Sequence, residues 1–353
     1  MVTRTTAALT MKTQRITYLA AALTLAMAGS SCEHDEIYEP LEFAVQLSPT
    51  NTYKAGDPVV FNFSGNADFI TIWNGDTGHE YRYRERTVLD APDRLEACEL
   101  NLEFSRRSGA NVGDVQFYVT DRFGGLTGSD AATDKARIEA IESGNFDGWI
   151  PLEIEEPSSS GKWSLTTHDL LDVDGNGTSV NDNFCLLMRW HPASAAAQRN
   201  YYINASVKVQ FKDYSATTMK ITELDPICFN RPDEMAGKEY ETYTASSTGS
   251  KLGYLQTGGN YDMILNGTES SVVCPYLIDT WYVTTPLKLN MIPSDTGQSI
   301  KGVTDDVKNY SHIYNEPGTY TATILAGNGN YQGESGIRTY EVTFTVVEKI
   351  GGE

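Results

Sequence analysis

The segment Asp172-Val173-Asp174-Gly175-Asn176-Gly177-Thr178 places side-chain oxygens at alternate positions, with glycine at the turn, as a calcium loop does in its first half. If a cation binds, Asp172, Asp174 and Asn176 are its ligands, and loop stiffening is its role. The twelfth position, where a bidentate glutamate belongs, is Asn183, preceded by Asp182, and no helical period flanks the loop. A solvated Asp/Asn/Gly turn between strands accounts for the same residues. No other cofactor is indicated. Glycoside hydrolysis needs two carboxylates about 5 or about 6.5–9.5 Å apart. With 47 acidic residues, chance supplies such a pair and none stands out. There is no Gly-x-Ser-x-Gly elbow, no His-Glu-x-x-His and no phosphate-cradling glycine loop, and the five histidines are scattered. The chain is therefore read as a non-enzyme. Arg82, Arg84 and Arg86 alternate with Tyr81 and Tyr83 as one face of a strand would, either solvated among acids or placed to meet an anionic sugar.

The N-terminus specifies an address. Arg4, Lys12 and Arg15 precede an apolar core from Leu19 to Ala28, long enough for a signal peptide and too short for a bilayer of about 30 Å. Small residues then lead to Cys32, followed at once by Glu33, His34, Asp35 and Glu36. This resembles a bacterial lipobox, in which Cys32 becomes the acylated N-terminus. Two or more acyl chains make such an anchor stable. Residues 1–31 are read as signal peptide and 32–40 as lipid tether. Met11-Lys12 offers an alternative start to Met1.

Composition narrows the partners. The formal charge is −20, and becomes −23 once the signal is removed. Such acidity excludes nucleic acid, whose binding draws on clustered Lys and Arg, and leaves the lipid anchor as the only membrane contact. Cys98, Cys185, Cys228 and Cys274 lie too far apart for CxxC pairs or zinc spacing, so they are either disulfides of unassigned pairing or buried thiols.

The elements that must position these groups are strands. Alternation runs through 59–63, 115–119, 202–209 and 340–346, and one helix is expected over 129–143 with Ser129 or Asp130 as cap. This patterning implies an all-β fold of tandem β-sandwich domains with one short helix. The expected division is a first sandwich over 41–125, a middle one (jelly-roll-like or another sandwich) over 126–225, a last over 226–348, and a tail over 349–353. Pro157 to Gly161 reads as a hairpin loop.

The stretch Ala55 to Asp68 followed by Ile70-Thr71-Ile72-Trp73-Asn74-Gly75-Asp76 resembles a PKD-type immunoglobulin-like sandwich, with a shortened turn after the tryptophan. Tyr314-Asn315-Glu316-Pro317-Gly318-Thr319-Tyr320 is similar to the closing hairpin of that fold. With Gly78 to Arg86 and Phe184 to Val209, these stretches resemble an uncharacterised family of Bacteroidetes surface lipoproteins. The resemblance implies a lipid-anchored protein on the outer face of the outer membrane that holds polysaccharide or oligosaccharide and presents it to an importer complex. A structural or adhesive scaffold, such as a pilus component, and a glycoside hydrolase remain open alternatives.

Sugar rings have apolar faces and polar edges, so a site for them needs exposed aromatic platforms. The residues expected to provide them are Trp149 and Trp163 in turn-rich surroundings, Trp190 with Tyr201 and Tyr202, and Tyr331, which Asn328, Gly329 and Asn330 are expected to hold off any ladder. Trp73 and Trp281 follow strand patterns and are expected in cores.

Overall fold

A computed structural model describes residues 39–48, 50–107, 114–144, 148–155, 157, 159–195, 198–258, 261–269, 272–330 and 335–349. The signal segment, Cys32 and Tyr331 lie outside the described residues.

Chain order begins with β1 (Phe43–Ser48), β2 (Thr52–Lys54), β3 (Pro58–Gly65) and β4 (Phe69–Trp73). Then come β5 (Leu95–Arg106), β6 (Val115–Thr120), α1 (Ala131–Glu142), β7 (Ile150–Leu152), β8 (Trp163–Asp169), β9 (Cys185–Trp190), β10 (Asn200–Phe211), β11 (Thr217–Lys220) and β12 (Ile227–Asn230). The short β13 (Tyr243–Thr244), β14 (Lys251–Leu252), β17 (Thr268–Glu269) and β18 (Val272–Val273) surround β15 (Leu255–Gly258) and β16 (Tyr261–Asn266), and β19 (Thr280–Val283) follows. The chain closes with β20 (Gln298–Lys301), β21 (Asn309–Ile313), β22 (Gly318–Gly329) and β23 (Ser335–Val347).

The fold is all-β, in sandwiches, with one α-helix among the described residues. Pairing divides the chain differently from the expected boundaries. Both chain ends build one sandwich: sheet β1-β3-β21 packs on sheet β2-β23-β22-β4-β20, around Val59, Phe61, Ile70, Ile72, Tyr314, Ile324 and Phe344. The residues between build the other, so the boundaries at 125 and 226 fall inside it. The two stretches that resembled separate PKD-type domains are halves of a single sandwich, because neither half carries enough strands to cover its own apolar face. The inner unit joins the outer through two antiparallel segments, with Leu89 N donating to Asn290 O at 2.8 Å and Ile292 N to Thr87 O at 2.9 Å. Exit and return lie side by side, the geometry that tolerates insertion of one domain into another.

The inner unit has three layers. Sheet β15-β16-β10-β5-β8 packs on sheet β12-β19-β9-β6-β7, and α1 covers the latter's far side. Period-two alternation makes β10 amphipathic: Tyr201, Ile203, Ala205, Val207 and Val209 point into the core. By contrast β9 is buried on both faces, Leu186, Met188 and Trp190 in the main core and Cys185 and Leu187 beneath the helix. Its unbroken apolar run follows from that. Helix α1 starts as expected: Asp130 accepts from Thr133 N at 3.1 Å, and Gly144, at φ +76°, ends it in the left-handed region. Ile138 and Ile141 anchor it against Phe229 and Trp281.

Two local expectations change. β7 and β8, on either side of the expected hairpin at Pro157 to Gly161, do not pair with each other: β7 pairs with β6 in one sheet and β8 with β5 in the other. Asn328 and Gly329 stay on the ladder, paired with Gly336 and Ser335. The four cysteines beyond Cys32 are free and buried. Burial pushes the thiols of Cys98, Cys185 and Cys228 up to about 12.

Candidate functional site

The open face of the inner unit is the outer side of sheet β15-β16-β10-β5-β8. Register places Trp163 opposite Ser105, and Ser105 opposite Tyr202. Ser105 is small and nearly fully buried, although it belongs to the outward-facing set of β5. The aromatic rings beside it supply its cover. Tyr261 completes the group, its ring centroid 4.2 Å from that of Tyr202 and 5.5 Å from that of Trp163. The Arg107 guanidinium stands 5.0 Å over the Tyr202 ring. Trp163 remains 42% exposed and Leu165, two residues along the same face, 55%. Aromatic side chains bury roughly 150–250 Å² in a core, so a tryptophan left open beside two tyrosines is available surface.

The next row is polar. Leu165 faces Glu103 and Glu103 faces Asn204. Asn204 Nδ2 donates to Glu103 Oε2 at 2.9 Å while its Oδ1 accepts from Asp262 N at 3.1 Å. Lys220 Nζ donates to Asp262 Oδ1 at 2.8 Å, and that carboxylate holds the ammonium above its ordinary range. In the row beyond, Thr167 Oγ1 donates to Asn101 Oδ1 at 2.7 Å. A strip of aromatic rings thus adjoins fixed amides, hydroxyls and carboxylates, the combination that binds an apolar face and orients polar edges.

Of the four described residues among those expected to bind glycan, Trp163 is the one the structure puts on this strip. Trp190 and Tyr201 are core residues and offer no face to a ligand: Trp190 is 0% exposed, and the Tyr201 hydroxyl donates to Asp114 Oδ2 at 2.7 Å inside the sandwich. Strand alternation decides this, because Tyr201 and Tyr202 must point to opposite sides. Trp149 is half-buried against Phe123, ring centroids 5.2 Å apart, in the small core under α1. Tyr261 was not singled out from sequence, since only pairing of β16 with β10 brings it to Tyr202. Trp281 is buried beneath Arg189, and Trp73 meets Tyr81 edge-on at 4.9 Å.

The arginine cluster is no strand face. Tyr81–Tyr83 is a 3₁₀ turn, and the guanidinium groups stack on the tyrosines: Arg84 over Tyr81 at 4.2 Å, Arg82 over Tyr83 at 4.5 Å and Arg86 over Tyr83 at 3.7 Å. Arg86 also reaches Tyr214 at 2.5 Å and buried Asp295 at 3.5 Å, so its charge serves the join between the units.

In the calcium-like loop the oxygens are turned to the loop's own donors. Asp172 Oδ1 accepts from Gly177 N at 2.6 Å, Asp174 Oδ1 from Asn176 N at 2.9 Å and Thr178 N at 3.2 Å, and Asp174 Oδ2 from Thr178 Oγ1 at 2.8 Å. The Thr178 hydroxyl, ahead of the loop amides, holds the Asp174 carboxyl below its usual range. Asn176 spends its amide on Asp174 O at 3.1 Å. These residues fit a self-capped turn better than a cation shell. Among the described residues no group of three or more His, Cys, Asp or Glu could hold a metal ion.

The family described as Domain of unknown function (DUF5017) matches residues 31–143. That span runs from the N-terminal segment through α1 and so takes strands from both sandwiches, keeping the β1–β3 pair while omitting the partners of β4, β5 and β6. No curated protein matches the chain, and neither does any solved structure.

Proposed function

We propose that this chain is a surface lipoprotein that binds glycan without cleaving it, through the Trp163–Tyr261–Tyr202 strip and the polar row beside it. The observation that carries this reading is Trp163, 42% exposed on an open sheet face with two tyrosines beside it and the Glu103–Asn204 pair one row away. An exposed aromatic cluster costs solvation unless a partner covers it. Sugar is the partner whose apolar face and hydroxyl edge fit the adjacent rows. The carboxylates near the strip are engaged, Glu103 by Asn204 and Asp262 by Lys220, which suits orientation of hydroxyls better than proton transfer. The signal core and Cys32 with its acidic sequel support a lipid anchor facing outward, with an outer-membrane importer complex as recipient. Among the described residues no helix is long and apolar enough to cross a membrane.

Affinity electrophoresis through gels containing a broad polysaccharide panel tests the reading. Retardation by at least one polymer, markedly weakened in Trp163→Ala and without release of reducing ends, is expected. Absence of retardation throughout the panel would favour the scaffold or adhesive reading, and released reducing ends a hydrolase. Labelled palmitate should enter the parent chain and not Cys32→Ala.

A further inference from the structure

A second concavity lies on the other sandwich. The loop from Gly75 to Arg82 arches over the outer face of β22 and β23 and encloses a cleft of about 320 Å³, within the size range of small-ligand sites. Thr319, Thr321 and Thr323 of β22 form its floor with Glu341 of β23, and Glu80, Tyr81 and Arg82 form its wall.

The wall is held before any ligand arrives. Gly75, at φ +90°, lies so close to β22 that a Cβ would stand 2.7 Å from Thr321 O. Gly75 N donates to His79 O at 2.9 Å, closing the turn, and Glu80 N donates to Oδ2 of buried Asp295 at 2.9 Å. Tyr81 is fixed between Trp73 and Arg84.

The lining selects a ligand class. Arg82 Nε donates to Glu80 Oε2 at 2.7 Å, so its charge is already neutralised, and Glu341 leaves the cleft net negative. Phosphate, sulfate and carboxylate ligands are repelled. Little besides the Tyr81 ring would receive an apolar side chain. What remains is a row of hydroxyls that both donate and accept, carboxylates that accept and a guanidinium that donates. Alternate strand residues stand about 7 Å apart, a spacing over which one sugar ring can meet two threonines. We propose that this cleft is a second saccharide site, taking one or two neutral sugar units. It is independent of the Trp163 strip and stands or falls without it.

The test is titration of the complete mature chain with neutral malto-, cello-, xylo- and mannohexaose, followed by calorimetry and by amide shifts of Gly75 and Thr321. Three proteins are compared: the parent, Trp163→Ala, and the double variant Thr321→Val with Glu341→Gln, whose exposed, near-isosteric changes spare the fold. We expect at least one hexaose to shift Gly75 and Thr321 in the parent and in Trp163→Ala, with affinity at that site about 10-fold weaker in the double variant. Hexaoses that leave both amides unmoved, or a double variant that binds as the parent does, would overturn the proposal. Shifts in the cleft with Trp163→Ala still fully retarded in gels would instead sink the strip and spare the cleft. Stronger shifts with polygalacturonate than with any neutral hexaose would also count against the proposal, because the charge argument forbids them.

Discussion

The hydroxyl of Tyr314 donates to the carbonyl of Asn74 at 2.7 Å across 240 positions of sequence. Beside it, His312 Nε2 stands 2.6 Å from Asp76 Oδ2. These contacts close the outer sandwich by joining the turn after Trp73 to the strand before Gly318, and the inner unit is inserted between the halves they join.

Tyr314→Phe should therefore cost roughly 1–3 kcal/mol, since it strands a buried carbonyl. Fragments should behave accordingly. Residues 89–292 carry the inner cores and should unfold cooperatively in urea, whereas 31–143, which leaves β4, β5 and β6 without partners and β3 with β1 alone, should not fold. A cooperative transition in the 31–143 fragment would contradict the nested arrangement.

Trp163 and Trp190 separate surface from core. Trp163→Ala should leave the urea midpoint close to the parent's, while Trp190→Ala should cost about 3–5 kcal/mol through cavity formation. Equal losses of stability in the two variants would mean that the strip is structural.

Asp134 gives the fold an acid limit. Burial alone would raise its carboxyl, but Thr127 N at 2.7 Å, the Tyr240 hydroxyl at 2.6 Å and Gly128 N at 2.9 Å outweigh that and hold it below its ordinary value. Because the unfolded chain, with a value near 3.9, binds the proton more tightly, this contribution is full above about pH 4 to 5 and is lost as pH falls through the lower folded value. Urea midpoints measured from pH 6 down to pH 2 should fall, with a shallower fall in Asp134→Asn. Identical slopes would show that other carboxylates carry the effect.

Thiol chemistry should follow burial. In a chain starting at residue 39, Cys98, Cys185, Cys228 and Cys274 should resist iodoacetamide at pH 8 and all four should react in urea. A thiol that reacts quickly in the native protein would refute its burial.

The turn at Asp172 should be indifferent to metal. Chelation by EDTA should leave the thermal midpoint unchanged, as should Asp174→Ala in the presence or absence of calcium. A calcium-dependent rise in midpoint, lost in that variant, would show that the carboxylates can turn outward.

Local patterning determined a good deal by itself. Alternation in Tyr202 to Val209 and in Tyr340 to Val346 marks strands because period two is a property of the chain, and the cap at Asp130 with Gly144 bounds α1 for equally local reasons. Trp163 was legible as an exposed aromatic because turn residues precede it. What only the tertiary structure decided was which strands meet. The pairing of β4 with β22 and of β3 with β21 turns two apparent domains into one, and the pairing of β16 with β10 brings Tyr261 to Tyr202 and Trp163. Register likewise sends Tyr201 inward and Tyr202 outward, since one residue along a strand reverses the face. Hydrophobic period reports how a segment will be buried, but the choice of its partner is a contest among long-range pairings that no window of sequence contains.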